Sequence, residues 1–182
     1  MNKIEISLSK TKLLLVIGIS VLFMVLGYFL FATIADQQTD RSPTFVKGVG
    51  IAGILFFGAI GIYAVRKSLD KTIGLIVDEN GIFDNTNALS VGLIGWADIT
   101  KIESAQVSSA KFLIIHVKNP EKYIENTKGV KRILMKENNR AYGTPLTITS
   151  NTLKYKFNNL EKLINDKFKE YQESEPTLNQ QL

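Results

Sequence analysis

Hydrophobic and polar positions divide the chain into two long apolar runs and a region of short, interrupted ones. Leu13 to Ala35 passes 23 residues without a charge, and Gly48 to Val65 adds a second uncharged run of 18. A helix crossing a bilayer core needs about 20 apolar residues, within a range of roughly 17–25. Neither run carries the polar face of a surface helix in a soluble protein. The pattern therefore predicts an N-terminal segment 1–12, transmembrane helix 13–35, external loop 36–42 and transmembrane helix 43–69. Ser42 and Pro43 supply an N-cap and a first-turn proline for the second helix, and Lys47 can extend its amine to the headgroups. A cleaved signal peptide is the competing reading of the first run, but signal h-regions are only about 7–15 residues long.

Beyond Lys71 the period changes. Ile73–Val77, Ile82–Asn85, Leu89–Trp96, Ile99–Val107 and Lys111–Lys118 read as strands, the first two joined by Asp78-Glu79-Asn80-Gly81. Asn-Gly between apolar runs is a strong hairpin signal. Asn119-Pro120 opens a helical insertion that is interrupted at Gly129 and ended by Gly143 and Pro145. Leu146–Ser150 and Leu153–Phe157 read as a closing hairpin. In the last element, Leu160, Leu163, Ile164, Phe168 and Tyr171 fall on one helical face. Asn158 followed by Glu161 has the form of a capping box. The soluble domain is thus expected over 72–172, and the polar tail 173–182 is expected to be disordered.

Composition narrows the chemistry. The 182 residues include no Cys and one His, with 22 Lys+Arg against 17 Asp+Glu and a formal charge of +5. Disulfides, thiolate nucleophiles and Cys-ligated metals are excluded, and a His-rich metal site is excluded with them. No nucleophile elbow, P-loop, EF-hand or HExxH pattern occurs. Gly48-Val49-Gly50-Ile51-Ala52-Gly53 fits a dinucleotide fingerprint in letters only, because it lies within an apolar span rather than after a strand. His116 reads as a strand histidine with a structural hydrogen bond. Trp96 reads as core, and Asp98 as holding a turn through its own backbone. The expectation is no catalytic residue, no metal, no cofactor and no nucleic-acid partner.

Charge also bears on orientation. Lys3, Lys10 and Lys12 precede the first span and Arg66, Lys67 and Lys71 follow the second, whereas the intervening loop region holds Arg41 and Lys47. Cytoplasmic flanks carry the Lys/Arg excess, so both termini are expected in the cytoplasm. Within the spans, Gly50, Gly53, Gly58 and Gly61 share one sector, and Ser20 and Gly27 share a face of the first helix. Small residues allow helices to pack closely in lipid, so these six are the predicted helix-packing positions.

In the insertion from Lys118 to Arg140, seven basic residues stand against three acidic ones, net +4. Lys128, Lys131, Arg132 and Lys136 are the candidate contacts to an anionic lipid or a protein partner, at about 1 kcal/mol for each basic residue that reaches an anionic surface.

Seven strands grouped four and three and closed by a C-terminal amphipathic helix have the architecture of a pleckstrin-homology-like (PH-like) barrel or sandwich. KIEISLSKTKL (3–13), GLIVDENGIFDN (74–85), VGLIGWADI (91–99), HVKNPEKYI (116–124) and YGTPLTITSNTL (142–153) carry a resemblance along almost the whole chain. It resembles a family of small bacterial membrane proteins with two spans and a PH-like cytoplasmic domain. The resemblance implies that fold and an inner-membrane location, and supplies no activity and no catalytic residue. Phosphoinositide-binding PH domains place basic residues at the first hairpin; here Asp78 and Glu79 stand there, which argues against that ligand. The expected fold class is an α+β membrane protein, a transmembrane hairpin followed by a PH-like domain. The expected function is a non-enzymatic binding module held at the cytoplasmic membrane face. The alternatives are a structural subunit docking through its spans and, behind it, an enzyme.

Overall fold

A computed structural model describes residues 2–37, 42–108 and 110–174. The chain forms two compact units: Ser9–Lys71, and a second assembled from Met1–Leu8 with Thr72–Leu182.

The first unit is an antiparallel helical pair. Helix α1 (Lys10–Phe29) starts at Ser9, whose side chain accepts a hydrogen bond from the Lys12 amide. It runs on through a π turn, Leu30–Ile34, and a 3-10 turn, Ala35–Gln37. Helix α2 (Pro43–Leu69) occupies the span expected from the sequence and ends on Arg66 and Lys67, cations suited to the negative end of the helix dipole. Together the helical stretches Lys10–Gln37 and Pro43–Leu69 are long and apolar enough to cross a membrane, and only 17% of each one's most apolar window is buried. A core helix of a soluble protein would be mostly covered. The expected loop falls partly outside the described residues, at 38–41, as does most of the expected tail, at 175–182. Residues 173 and 174 belong to the last helix.

The seam between α1 and α2 is built from small residues where the backbones come closest. Gly27 and Gly50 are buried and face one another: a Cβ on Gly50 would stand 2.7 Å from the Gly27 carbonyl oxygen, and one on Gly27 2.9 Å from that of Gly50. A Cβ on Gly61 would lie 3.3 Å from that of buried Ser20, and one on Gly58 3.6 Å from Met24 Sδ. The Ser20 hydroxyl is satisfied within its own helix, donating to the Val16 carbonyl at 2.8 Å. Phe23 stacks on Phe57 at 4.4 Å, and Lys47 pairs with Asp36 at 2.8 Å near the loop end. Gly53 corrects the sequence reading: nothing lies within 4 Å of where its Cβ would be. At about 100° per residue, Gly53 and Gly58 fall on opposite sides of the line through Gly50, Phe57 and Gly61, and of the two only Gly58 meets a side chain of α1.

The second unit is α+β, with two small antiparallel sheets. The first has the order β1 (Ile4–Ile6), β2 (Leu75–Val77), β3 (Gly81–Asp84), β4 (Gly92–Gly95). The second has the order β5 (Ile99–Val107), β6 (Ala110–Val117), β7 (Leu146–Thr149). Helices α3 (Pro120–Glu125) and α4 (Gly129–Tyr142) fill the β6–β7 connection, and α5 (Phe157–Ser174) closes the chain.

Two differences from the sequence reading cancel in the strand count. Ile4–Ile6 pairs with β2 in the register Ile4–Val77, Glu5–Ile76 and Ile6–Leu75, so the N-terminal segment is part of the β unit. The expected strand Leu153–Phe157 reduces to an isolated bridge between Leu8 and Leu153, beside a Lys154 amide donating to the Ser7 carbonyl at 3.0 Å. Among the described residues no ladder joins the two sheets, so they stay open rather than closing as a barrel. Side chains stitch them instead: Asn87 Nδ2 donates to the Thr147 carbonyl at 2.7 Å, and the Thr149 amide donates to Thr86 Oγ1 at 3.3 Å. These bonds occupy the outer edge of β7, where unpaired backbone groups invite non-native pairing.

The core lies between the sheets and α5. Leu75, Val77, Ile82, Ile94, Leu113, Ile115, Ile148, Leu160 and Ile164 are buried. Trp96 is buried, donates its indole N–H to the Asp78 carbonyl at 2.8 Å, and stacks with Phe168 and Tyr171 of α5. The β2–β3 turn is held by the Asp78 side chain accepting from the Asn80 amide at 2.8 Å. Gly81 follows at φ +149, with the Ile94 carbonyl oxygen standing where a Cβ would be, a position only glycine fills without strain. Helix α5 begins at Phe157, ahead of the expected cap at Asn158. That asparagine therefore sits inside the first turn, where a capping box cannot form.

Candidate functional site

The insertion between β6 and β7 carries the groups worth weighing. Asn119 accepts from the Lys122 amide at 3.2 Å and Pro120 takes the first helical position, which starts α3. Helix α4 starts at Gly129 and stops at Gly143, a left-handed C-cap at φ +73 whose amide donates to the Asn139 carbonyl at 2.9 Å. Met135 is buried in the core, and Tyr142 meets Phe112 edge to face at 5.6 Å. These contacts fix which side of α4 looks outward.

The outward side is not simply basic. Val130, Ile133 and Leu134 are 71%, 61% and 46% exposed. Outside the helical pair, the other exposed large apolar side chains among the described residues are Leu93 and Val107. Beside the apolar group, Arg132, Lys136 and Arg140 are exposed at i, i+4 and i+8, one stripe along the helix. Glu137 is exposed among the apolar positions.

The four basic residues singled out from the sequence therefore separate. Arg132 and Lys136 lie on this stripe. Lys128 is exposed at the N-cap, with extended backbone, just outside the helix. Lys131 turns away, half-buried, and donates to the Ser90 carbonyl at 2.6 Å. Its amine is committed to the fold, so Lys131 is withdrawn as a surface contact. Val130, Ile133 and Leu134 are the positions that counting charges missed, and Arg140 was counted without being singled out; the signal was present as an i, i+3, i+4 apolar set beside an i, i+4, i+8 basic one.

Lys131 instead borders a cavity of about 490 Å³, also lined by Ser90, Leu93, Asp98, Lys122 and Tyr123. Asp98 does not hold its own turn by its side chain. Its carboxylate accepts from Lys122 Nζ and from the Tyr123 hydroxyl, both at 2.8 Å, tying the β4–β5 turn to α3. The bond from Lys122, then that from Tyr123, holds the Asp98 carboxyl below its ordinary range. Burial, then the bond to Asp98, pushes the Tyr123 phenol up. Neither group is moved toward neutral pH, where general acid–base catalysts work best.

His116 Nε2 lies 2.7 Å from Glu103 Oε2 across β5 and β6, the strand hydrogen bond expected of it. The Glu103 carboxyl is held low, first by Lys101 and then by His116. Among the described residues no three His, Asp or Glu side chains gather as a metal site. Fold and surface together define an α+β protein with two apolar helices long enough to span a bilayer and an amphipathic basic helix on its β unit. Comparison with protein-family models, with curated proteins and with solved structures gives no match to this chain.

Proposed function

We propose that the chain is an integral protein of the bacterial plasma membrane that presents its β unit, a PH-like binding module with open sheets, at the cytoplasmic face. The pairing of β1 with β2 carries this reading. β1 precedes α1 and β2 follows α2, so a shared sheet requires both flanks to lie on one side of any bilayer that the helices cross. Two crossings meet that requirement. The sparse burial of both helices supports lipid as their surroundings, and basic residues at both flanks favour the cytoplasm. The four-plus-three strand grouping with a C-terminal helix supports the PH-like assignment. A non-enzymatic role is supported by the commitment of Asp98, Tyr123, Glu103 and His116 to structural bonds.

Carbonate washing of membranes, together with a fluorescent reporter fused after Ser174, tests the reading. It expects the chain to stay in the pellet and the reporter, which matures only in the cytoplasm, to fluoresce. Extraction into the wash, or a dark reporter on a stably expressed fusion, contradicts it.

A further inference from the structure

We infer that α4 lies on the surface of the same bilayer, with Val130, Ile133 and Leu134 entering the boundary between headgroups and acyl chains and Arg132, Lys136 and Arg140 pairing with anionic lipid. This rests on the reading of α1 and α2 as spans. An apolar strip beside a basic one, on a helix whose opposite side is fixed in a domain core, has the composition of an interfacial helix. Exposure supplies the apolar half: among the described residues, three of the five large exposed apolar side chains outside the helical pair are on this helix. Charge complementarity supplies the other, since Arg132, Lys136 and Arg140 are exposed along the helix against Glu137 alone and cytoplasmic leaflets are anionic.

The tether favours the bilayer over a soluble partner. Only residues 70–74 separate α2 from β2, and only residues 7–9 separate β1 from α1. Five residues reach at most about 18 Å, so the β unit stays beside the surface into which its spans insert. Glu137 opposes the contact from within the apolar strip and marks it as reversible rather than permanent.

The chain has no cysteine, so a single introduced one carries a unique nitroxide. The full chain is reconstituted into vesicles of phosphatidylglycerol with phosphatidylcholine, or of phosphatidylcholine alone, and collisions with oxygen and with a water-soluble nickel complex are compared. With Ile133→Cys, oxygen should dominate in anionic vesicles and nickel in neutral ones, while a label at Val107→Cys stays open to nickel in both. Replacing Arg132 and Lys136 by Glu should return the Ile133 label to water; each basic residue removed should lower the ratio of engaged to released helix about fivefold. Glu137→Gln should raise it.

An Ile133 label as open to nickel as that at Val107 in anionic vesicles overturns the inference. So does a label shielded equally in anionic vesicles, neutral vesicles and detergent, which would mean that protein, such as a second copy, covers the helix. Leu55→Cys, on the exposed side of α2, separates the two claims. Oxygen at Leu55 with nickel at Ile133 leaves the spans standing and removes the inference; nickel at both removes the membrane reading itself.

Discussion

Asp98 shows how one side chain can join elements that lie far apart in the sequence. Losing its carboxylate leaves Lys122 and Tyr123 without their shared acceptor. Because the side chain is 35% exposed, solvent takes over part of the loss, and Asp98→Ala should cost about 1 kcal/mol. Tyr123→Phe should cost a similar amount. The single Trp96, buried against α5, reports unfolding of the β unit by fluorescence in urea. Since the folded Asp98 carboxyl titrates below its ordinary value, its contribution is present above about pH 4 and is lost as pH falls through the lowered folded value. The urea midpoint should therefore fall less between pH 5 and about pH 3 in Asp98→Asn than in the parent. Equal slopes would mean that the Lys122 and Tyr123 bonds make no net contribution.

The sequence made Trp96 legible as core and His116 as a strand residue with a hydrogen bond, because each follows from its neighbours along the chain. It misplaced Asp98, whose partners are 24 and 25 residues away, and Lys131, whose acceptor is 41 away. Local spacing holds no record of contacts made through the fold.

At the scale of elements, the start of α2 and the division of the insertion at Gly129 were legible because proline and glycine mark them. Strand β1 was not. Three residues are too few to show alternation, and Ile4-Glu5-Ile6 becomes a strand only because β2 offers it an edge. Ile6→Ala tests this directly. Ile6 is 5% exposed in the core, so its truncation should cost the β unit about 2–4 kcal/mol, as buried isoleucines do. An unchanged urea midpoint would mean that the N-terminal segment frays away from the sheet.

The helical pair invites a sharper comparison. Alanine gains about 1 kcal/mol over glycine in a helix interior, so Gly53→Ala, with open space around it, should be neutral or stabilising. Gly50→Ala places a methyl group 2.7 Å from the Gly27 carbonyl oxygen and should lower the melting temperature in mild detergent, overpacking costing about 1–3 kcal/mol. The glycine sector read from the sequence was right about composition but too wide in angle. The periodicity put Gly53 inside the packing sector, and only the positions of α1 side chains show where the seam ends.

For the whole molecule, the order of the two units along the chain is interrupted. The β unit opens before α1 and resumes after α2, so the helical pair is an insertion within it rather than an anchor placed ahead of it. Apolar run length made the two helices legible from the sequence, while the joining of their flanks depended on a strand too short to read. A single-cysteine accessibility assay measures that arrangement most directly. Glu5→Cys, Gln37→Cys and Glu173→Cys are treated in intact cells with a membrane-impermeant maleimide, before and after permeabilisation. The account expects Gln37→Cys to be labelled in intact cells, and Glu5→Cys and Glu173→Cys only once the membrane is opened. Labelling of Glu5→Cys and Glu173→Cys from opposite sides would contradict it, because β1 and β2 could not then share a sheet.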